Sequence, residues 1–240
     1  MGSSAGPNPT KPRTLVNKVM EDLNTFTEQV HQVFEALNQV RDKALLQSRQ
    51  LTRLSANTIR AIHRGEVEAA HQNLAQAKEI ASGLKDMLAT YPQVLFAGYT
   101  QDALKEYVEA NLTCAIIENE PLPTPESLDV EISTYLNGLA ETVGELRRRC
   151  LDILRRGYSD EAERLLSWMD EIYNLLVTVD YPDALTNGLR RQTDLARGII
   201  ERTRGDLTLS LREYRLQQSL DRAAAYLSDE GDLHAHDSGL

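Results

Sequence analysis

Four glutamates fall into two couplets, Glu106/Glu109 and Glu141/Glu145. The first lies in Glu106-Tyr107-Val108-Glu109-Ala110 and the second in Glu141-Thr142-Val143-Gly144-Glu145-Leu146. Spacings of three and four residues put both members of a couplet on one face of a helix. Apolar residues share those faces: Leu104, Leu112 and Cys114 around the first couplet, Leu136, Leu139 and Leu146 around the second. Carboxylates on an apolar stripe are costly unless something pairs with them. Four converging from two helices repel one another until a cation or shared protons neutralise them. Spacing alone leaves two readings open. Either the couplets hold a hard divalent cation, Mg²⁺ or Mn²⁺, through oxygen ligands, or they are two solvated helix faces, since such spacings recur throughout helical proteins.

Basic residues accompany the acids. Arg147, Arg148 and Arg149 follow the second couplet directly and spread over most of the helix circumference, so only one or two of them can face a given cavity. A second group comprises Arg190, Arg191 and Arg197 with Arg202 and Arg204. Both groups suit contact with a phosphate backbone, and both suit ion pairing, the second with Asp194, Glu201 and Asp206. Tyr107, between the first two acids, either stacks on a base or packs between helices. His63 and His71 fall on helical segments and are read as packed or solvated, with no role in chemistry. Gly138, Gly144 and Gly198 lie inside helices and form no phosphate-cradling loop; Gly144 is expected to allow close approach of a neighbouring helix.

The elements that must position these residues read as all-α. The chain has 240 residues, long stretches without Gly or Pro, few aromatics and no strand-like alternation, in a composition normal for a globular protein. A net charge of −10 argues against nucleic acid as a whole-molecule property, but the arginines crowd the C-terminal half, which allows a locally basic surface. Cys114 and Cys150 form no Cys-x-x-Cys pattern and are expected to be buried free thiols in a reducing cytoplasm. No apolar run reaches the length of a membrane span, and the opening residues hold no apolar segment of a signal peptide.

From Thr14 to Arg64 there is no Gly or Pro, and apolar residues recur in a heptad-like seam through Val16, Val19, Leu23, Phe26, Val30, Val33, Leu37 and Val40. A single helix there would run about 75 Å, too long for one compact domain, so it must curve, break or serve an assembly. Further helices are expected over 66–90, 101–119, 128–156, 159–179 and 183–204, with a last one through 227 after an interruption at Gly205-Asp206. Residues 1–13 read as a flexible leader, 14–227 as one seven-helix domain, and 228–240 as a disordered acidic tail.

The residues then carry a resemblance. Arg41-Asp42-Lys43, Ser48-Arg49 and Ile59-Arg60-Ala61-Ile62-His63-Arg64 begin it, and Leu104-Lys105-Glu106-Tyr107-Val108-Glu109-Ala110 strengthens it. The run Tyr135-Leu136-Asn137-Gly138-Leu139-Ala140, continuing through Glu141 to Leu146, completes it. The chain resembles the translin/Trax family, nearer to Trax, over residues 15–215. The resemblance implies a seven-helix all-α fold with long antiparallel helices, assembled into octameric rings or shells that hold single-stranded nucleic acid. It implies Mg²⁺-dependent endonuclease activity on single-stranded RNA, with single-stranded DNA left open. Glu106, Glu109, Glu141 and Glu145 fall on the Trax metal-binding acids; Trax commonly has Asp at the position of Glu141, whose extra methylene keeps the charge and changes the reach. The implied protein is a homo-oligomeric hydrolase. The alternative is a nucleic-acid-binding protein of the same fold without catalysis, as translin-type subunits are.

Overall fold

The computed structural model describes the backbone of residues 11–237 and the side chains of residues 18–226. Nine helices follow in chain order among the described residues: α1 (Lys11–Arg64), α2 (Val67–Leu88), α3 (Pro92–Leu95), α4 (Gly98–Glu118), α5 (Pro125–Leu128), α6 (Ile132–Leu154), α7 (Asp160–Leu176), α8 (Asp183–Thr186) and α9 (Leu189–Asp237). Six are long and three are single turns, in place of the seven expected. The difference arises at the breaks. Pro92 starts the short α3, and Pro125 starts α5 with Thr124 as its cap. Proline suits the first turn, where its missing N–H is no loss. Asp129 and Asn187 then take left-handed conformations that separate α5 from α6 and α8 from α9.

The expected interruption at Gly205-Asp206 does not occur, and α9 runs through it. A helical glycine costs only about 1 kcal/mol. Thr203 and Leu207 are buried on either side of it, and Arg147 pairs with Asp206 at 2.9 Å, so packing outweighs that cost. The terminal boundaries move too. Helix α1 starts at Lys11, inside the expected leader, and α9 continues to Asp237, inside the expected tail. The run Arg222-Ala223-Ala224-Ala225, made of strong helix formers, leads into that stretch. The remainder of the leader and positions 238–240 lie outside the described residues.

Other local signals act as expected. Gly65 ends α1 in the left-handed region, φ +76°, with Gly65 N–H bonded to the Ile62 carbonyl and Glu66 N–H to that of Ala61. Ser159 caps α7, its hydroxyl accepting from the Glu161 N–H at 3.2 Å. Cys114 and Cys150 are buried free thiols. Among the described residues no helix is long and apolar enough to cross a membrane.

The helices pack as a chain of neighbours: α1 on α2 and α4, α4 on α6, and α6 on α7 and α9. Helix α4 is buried on nearly every side, through Leu104, Tyr107, Val108, Leu112, Cys114 and Ile116. The main core adds Leu139, Val143 and Leu146 of α6, Leu165 and Met169 of α7, and Ile200 and Leu207 of α9. Only the second half of the α1 seam joins a core, with Ala44, Leu51 and Leu54 buried. The first half leaves Val19, Leu23, Phe26, Val33 and Phe34 exposed, and α9 beyond Leu207 likewise exposes Leu209, Leu216, Leu220 and Tyr226. Both long helices therefore extend past the bundle as arms with uncovered apolar residues.

Close approach of α4 and α6 depends on Gly138, not on Gly144 as expected. A Cβ at Gly138 would lie 2.7 Å from Val108 Cγ1 and 2.9 Å from the Lys105 carbonyl oxygen, whereas one at Gly144 would meet nothing within 4 Å. Overpacking of this kind costs about 1–3 kcal/mol. Thermal unfolding followed by circular dichroism should show Gly138→Ala melting several degrees below the parent, and Gly144→Ala melting at or above it.

Candidate metal and nucleic-acid site

The two couplets meet where α4 crosses α6. Glu106 and Glu109 project from α4 and Glu141 and Glu145 from α6, all four partly buried. Each α6 acid is held by a side chain from another helix. Lys105 Nζ donates to Glu141 Oε1 at 2.7 Å, and Gln192 Nε2 of α9 donates to the same oxygen at 3.2 Å. His63 Nε2, at the end of α1, lies 2.6 Å from Glu145 Oε2, and Arg148 Nη1 donates to that oxygen at 3.4 Å. Glu106 and Glu109 have no hydrogen-bond or ion-pair partner of their own among the described residues.

Their electrostatics follow from this arrangement. Burial, reinforced by the charges of Glu141, Glu145 and Glu106, pushes the Glu109 carboxyl up to about 8. Burial and the Glu141 charge also raise Glu106, with Lys105 opposing. At Glu145 burial works against ionisation, but the His63 hydrogen bond and charge, with Arg148, outweigh it and hold the carboxyl below its usual value. Lys105 shows the same contest in reverse. Burial disfavours its charge, yet the contact with Glu141 leaves it above the ordinary lysine value.

The donor set is four hard carboxylate groups whose mutual repulsion a divalent cation would relieve, which fits Mg²⁺ or Mn²⁺ by chemistry. Among the described residues, however, no three His, Cys, Asp or Glu side chains stand ready to close on one ion. Glu141 and Glu145 are instead directed to Lys105 and His63.

The arginines diverge. Arg147 donates to Thr203 Oγ1 at 3.0 Å and pairs with Asp206, so it joins α6 to α9. Arg148 is exposed beside Glu145. Arg149 turns to the end of α1, its Nη1 donating to the His63 carbonyl at 3.3 Å. Arg190 and Arg191 are exposed at the start of α9, with Arg190 beside Asp180, Tyr181 and Asp183. Arg197 is exposed and paired with Glu201 at 3.1 Å. Tyr107 is fully buried between the helices.

His63, expected to be packed or solvated with no role, contacts Glu145, and Lys105 and Gln192 join the site without a signal in the sequence. His63 and Gln192 come from helices distant in sequence, and no local spacing signals their approach. Lys105 is adjacent to Glu106, and neighbours in a helix point to different faces.

No family model matches the chain. An uncharacterized protein of Methanocaldococcus jannaschii, MJ0175, is 34% identical over 194 residues, covering 80% of this chain and 85% of that one. Among solved structures, AfC3PO in complex with duplex RNA is 37% identical, with a TM-score of 0.73 over 79% of this chain and 98% of its own. The crystal structure of AfC3PO is 38% identical at a TM-score of 0.72, with the same coverage. Apo-NeC3PO is 20% identical at a TM-score of 0.69, over 86% of this chain and 100% of its own, and supports the fold alone.

The raised Glu109 carboxyl has a consequence for stability. The unfolded chain ionises it near its ordinary value of 4.5, while the folded protein keeps it protonated to about 8. Between those values the unfolded state binds fewer protons, so stability falls as pH rises. Melting in EDTA should therefore show stability declining from pH 5 to pH 8, with Glu109→Gln flattening much of that slope.

Proposed function

The chain belongs to the translin/Trax family, and from that premise we propose that it is a metal-dependent endoribonuclease cutting single-stranded RNA inside a homo-oligomeric, octameric shell in the cytoplasm. The observation that supports this reading is the meeting of Glu106, Glu109, Glu141 and Glu145 at one helix crossing, where burial, reinforced by the charges of the other three, raises the Glu109 carboxyl to about 8. A buried excess of negative charge is hard to account for as packing.

Glu106, Glu109, Glu141 and Glu145 would hold the Mg²⁺ or Mn²⁺ ion, and such an ion supplies charge stabilisation at a phosphoryl oxygen and a more acidic water. Lys105 and Gln192 orient Glu141, and His63 orients Glu145. Arg148, beside Glu145, borders the acids with exposed positive charge suited to a phosphate backbone, and Arg190 and Arg191 add exposed charge at the start of α9. The duplex RNA held by AfC3PO supports RNA as the ligand class. Single-stranded DNA is a second substrate to assay. The apolar residues exposed along α1 and α9 support self-assembly, since such rows rarely stay uncovered.

A binding protein without catalysis is the second reading. It is favoured by the engagement of Glu141 and Glu145 with Lys105 and His63 and by the lack of a closed ligand set among the described residues.

Labelled single-stranded and duplex RNA, incubated with Mg²⁺, Mn²⁺ or EDTA, should separate the two readings. Nuclease function predicts metal-dependent cutting of the single strand that drops to background in Glu106→Ala/Glu109→Ala. Binding without cutting in the parent protein selects the second reading, and equal products from parent and variant identify a contaminant. Native mass spectrometry should give a closed oligomer, shifted toward smaller species by Phe26→Asp/Phe34→Asp.

A further inference from the structure

A second basic feature lies behind His63, outside the acid site. The last turn of α1 and the last turns of α6 converge on a cavity of about 680 Å³ whose walls include His63, Arg64, Arg149, Asp152, Arg155 and Arg156. Four arginines face one aspartate there. Arg64 is partly balanced by Glu66 at 2.8 Å, whereas Arg155 and Arg156 are exposed and have no ion-pair partner among the described residues.

Two helix C-termini end at this cavity, and their dipoles alone would favour nearby cations. The dipoles do not account for two buried atoms. Arg149 Nε and His63 Nδ1 are both shielded from solvent and both without a hydrogen-bond partner. The His63 side chain is only 3% exposed, and its other ring nitrogen is held by Glu145. Buried polar atoms are nearly always satisfied, because leaving one unpaired forfeits its hydration without return. Those two atoms lie behind the cavity wall, while the guanidinium groups of Arg64, Arg149, Arg155 and Arg156 line it, and clustered guanidinium groups are a strong receptor for phosphate oxygens.

We propose that this cavity binds a phosphate group of the RNA strand. The inference rests on the reading of the acids as an RNA site and extends it: His63 is the wall shared by the two, touching Glu145 on one side and lining the basic cavity on the other. A strand lying across the acids places one of its other phosphates, either internal or terminal, in the basic cavity. That contact adds affinity and fixes the position of the strand relative to the carboxylates, without itself reading base identity.

The test is Arg155→Gln/Arg156→Gln, whose exposed positions leave the fold intact, compared with the parent in EDTA so that binding is read without cleavage. Oligoribonucleotides with a 5′-phosphate, a 3′-phosphate or hydroxyls at both ends are titrated at several salt concentrations. Inorganic phosphate is titrated separately by thermal shift. The expected result is RNA binding weakened about tenfold, with the salt dependence reduced by about one to two counterions, and a phosphate-induced rise in melting temperature seen only in the parent. Loss confined to one phosphorylated end assigns the cavity to that terminus, and equal loss for all three assigns it to the backbone. If the parent binds no RNA but phosphate still stabilises it and not the variant, the cavity stands and the RNA reading falls. Equal RNA affinity, salt dependence and phosphate response in the two proteins overturns the proposal, as does a parent that responds to neither ligand.

Discussion

Repulsion among four carboxylates, held together by a helix crossing that cannot relax, organises this molecule. Helices α4 and α6 approach so closely at Gly138 that no side chain fits between Val108 and the Lys105 carbonyl. The same crossing forces Glu106, Glu109, Glu141 and Glu145 into one another's fields. Packing of this quality is stiff, so the charges cannot escape by parting the helices. They are met by Lys105 and Gln192 at Glu141, by His63 and Arg148 at Glu145, and by proton retention at Glu109. Three other helices bear on the site through those contacts and the core beneath it: α1 supplies His63, α9 supplies Gln192, and α7 backs α6.

Local energy is distributed unevenly around this centre. The bundle is densely packed from the second half of α1 to Leu207 of α9, and beyond it both long helices expose apolar residues on their outer stretches. Such arms gain little from burial within one chain, and their shape is consistent with stability drawn from neighbouring copies.

Some features were legible in the residues because they depend on short-range rules. The all-α class, the Gly65 stop, the Ser159 cap and the pairing of each couplet on its own helix follow from capping chemistry and the helical period. The resemblance to the translin/Trax family agrees with the 37% identity to AfC3PO. The errors also have local causes. Gly205 suggests a break because glycine weakens an isolated helix, but buried Thr203 and Leu207 and the Arg147–Asp206 pair hold α9 continuous. The helix count differed because single turns at Pro92, Pro125 and Asp183 carry no amphipathic signal.

What the amino-acid order determined by itself is therefore the set of helices and the two acid couplets on them, since spacing along one helix decides which side chains share a face. Only tertiary structure decided that the couplets meet, that Gly138 and not Gly144 lies at the contact, that His63 joins Glu145 across 82 residues of chain, and that Arg149 turns into a cavity while Arg147 turns to α9. Those outcomes depend on which helix faces which and at what distance, and the energy of a buried charge depends on neighbours that no local spacing encodes.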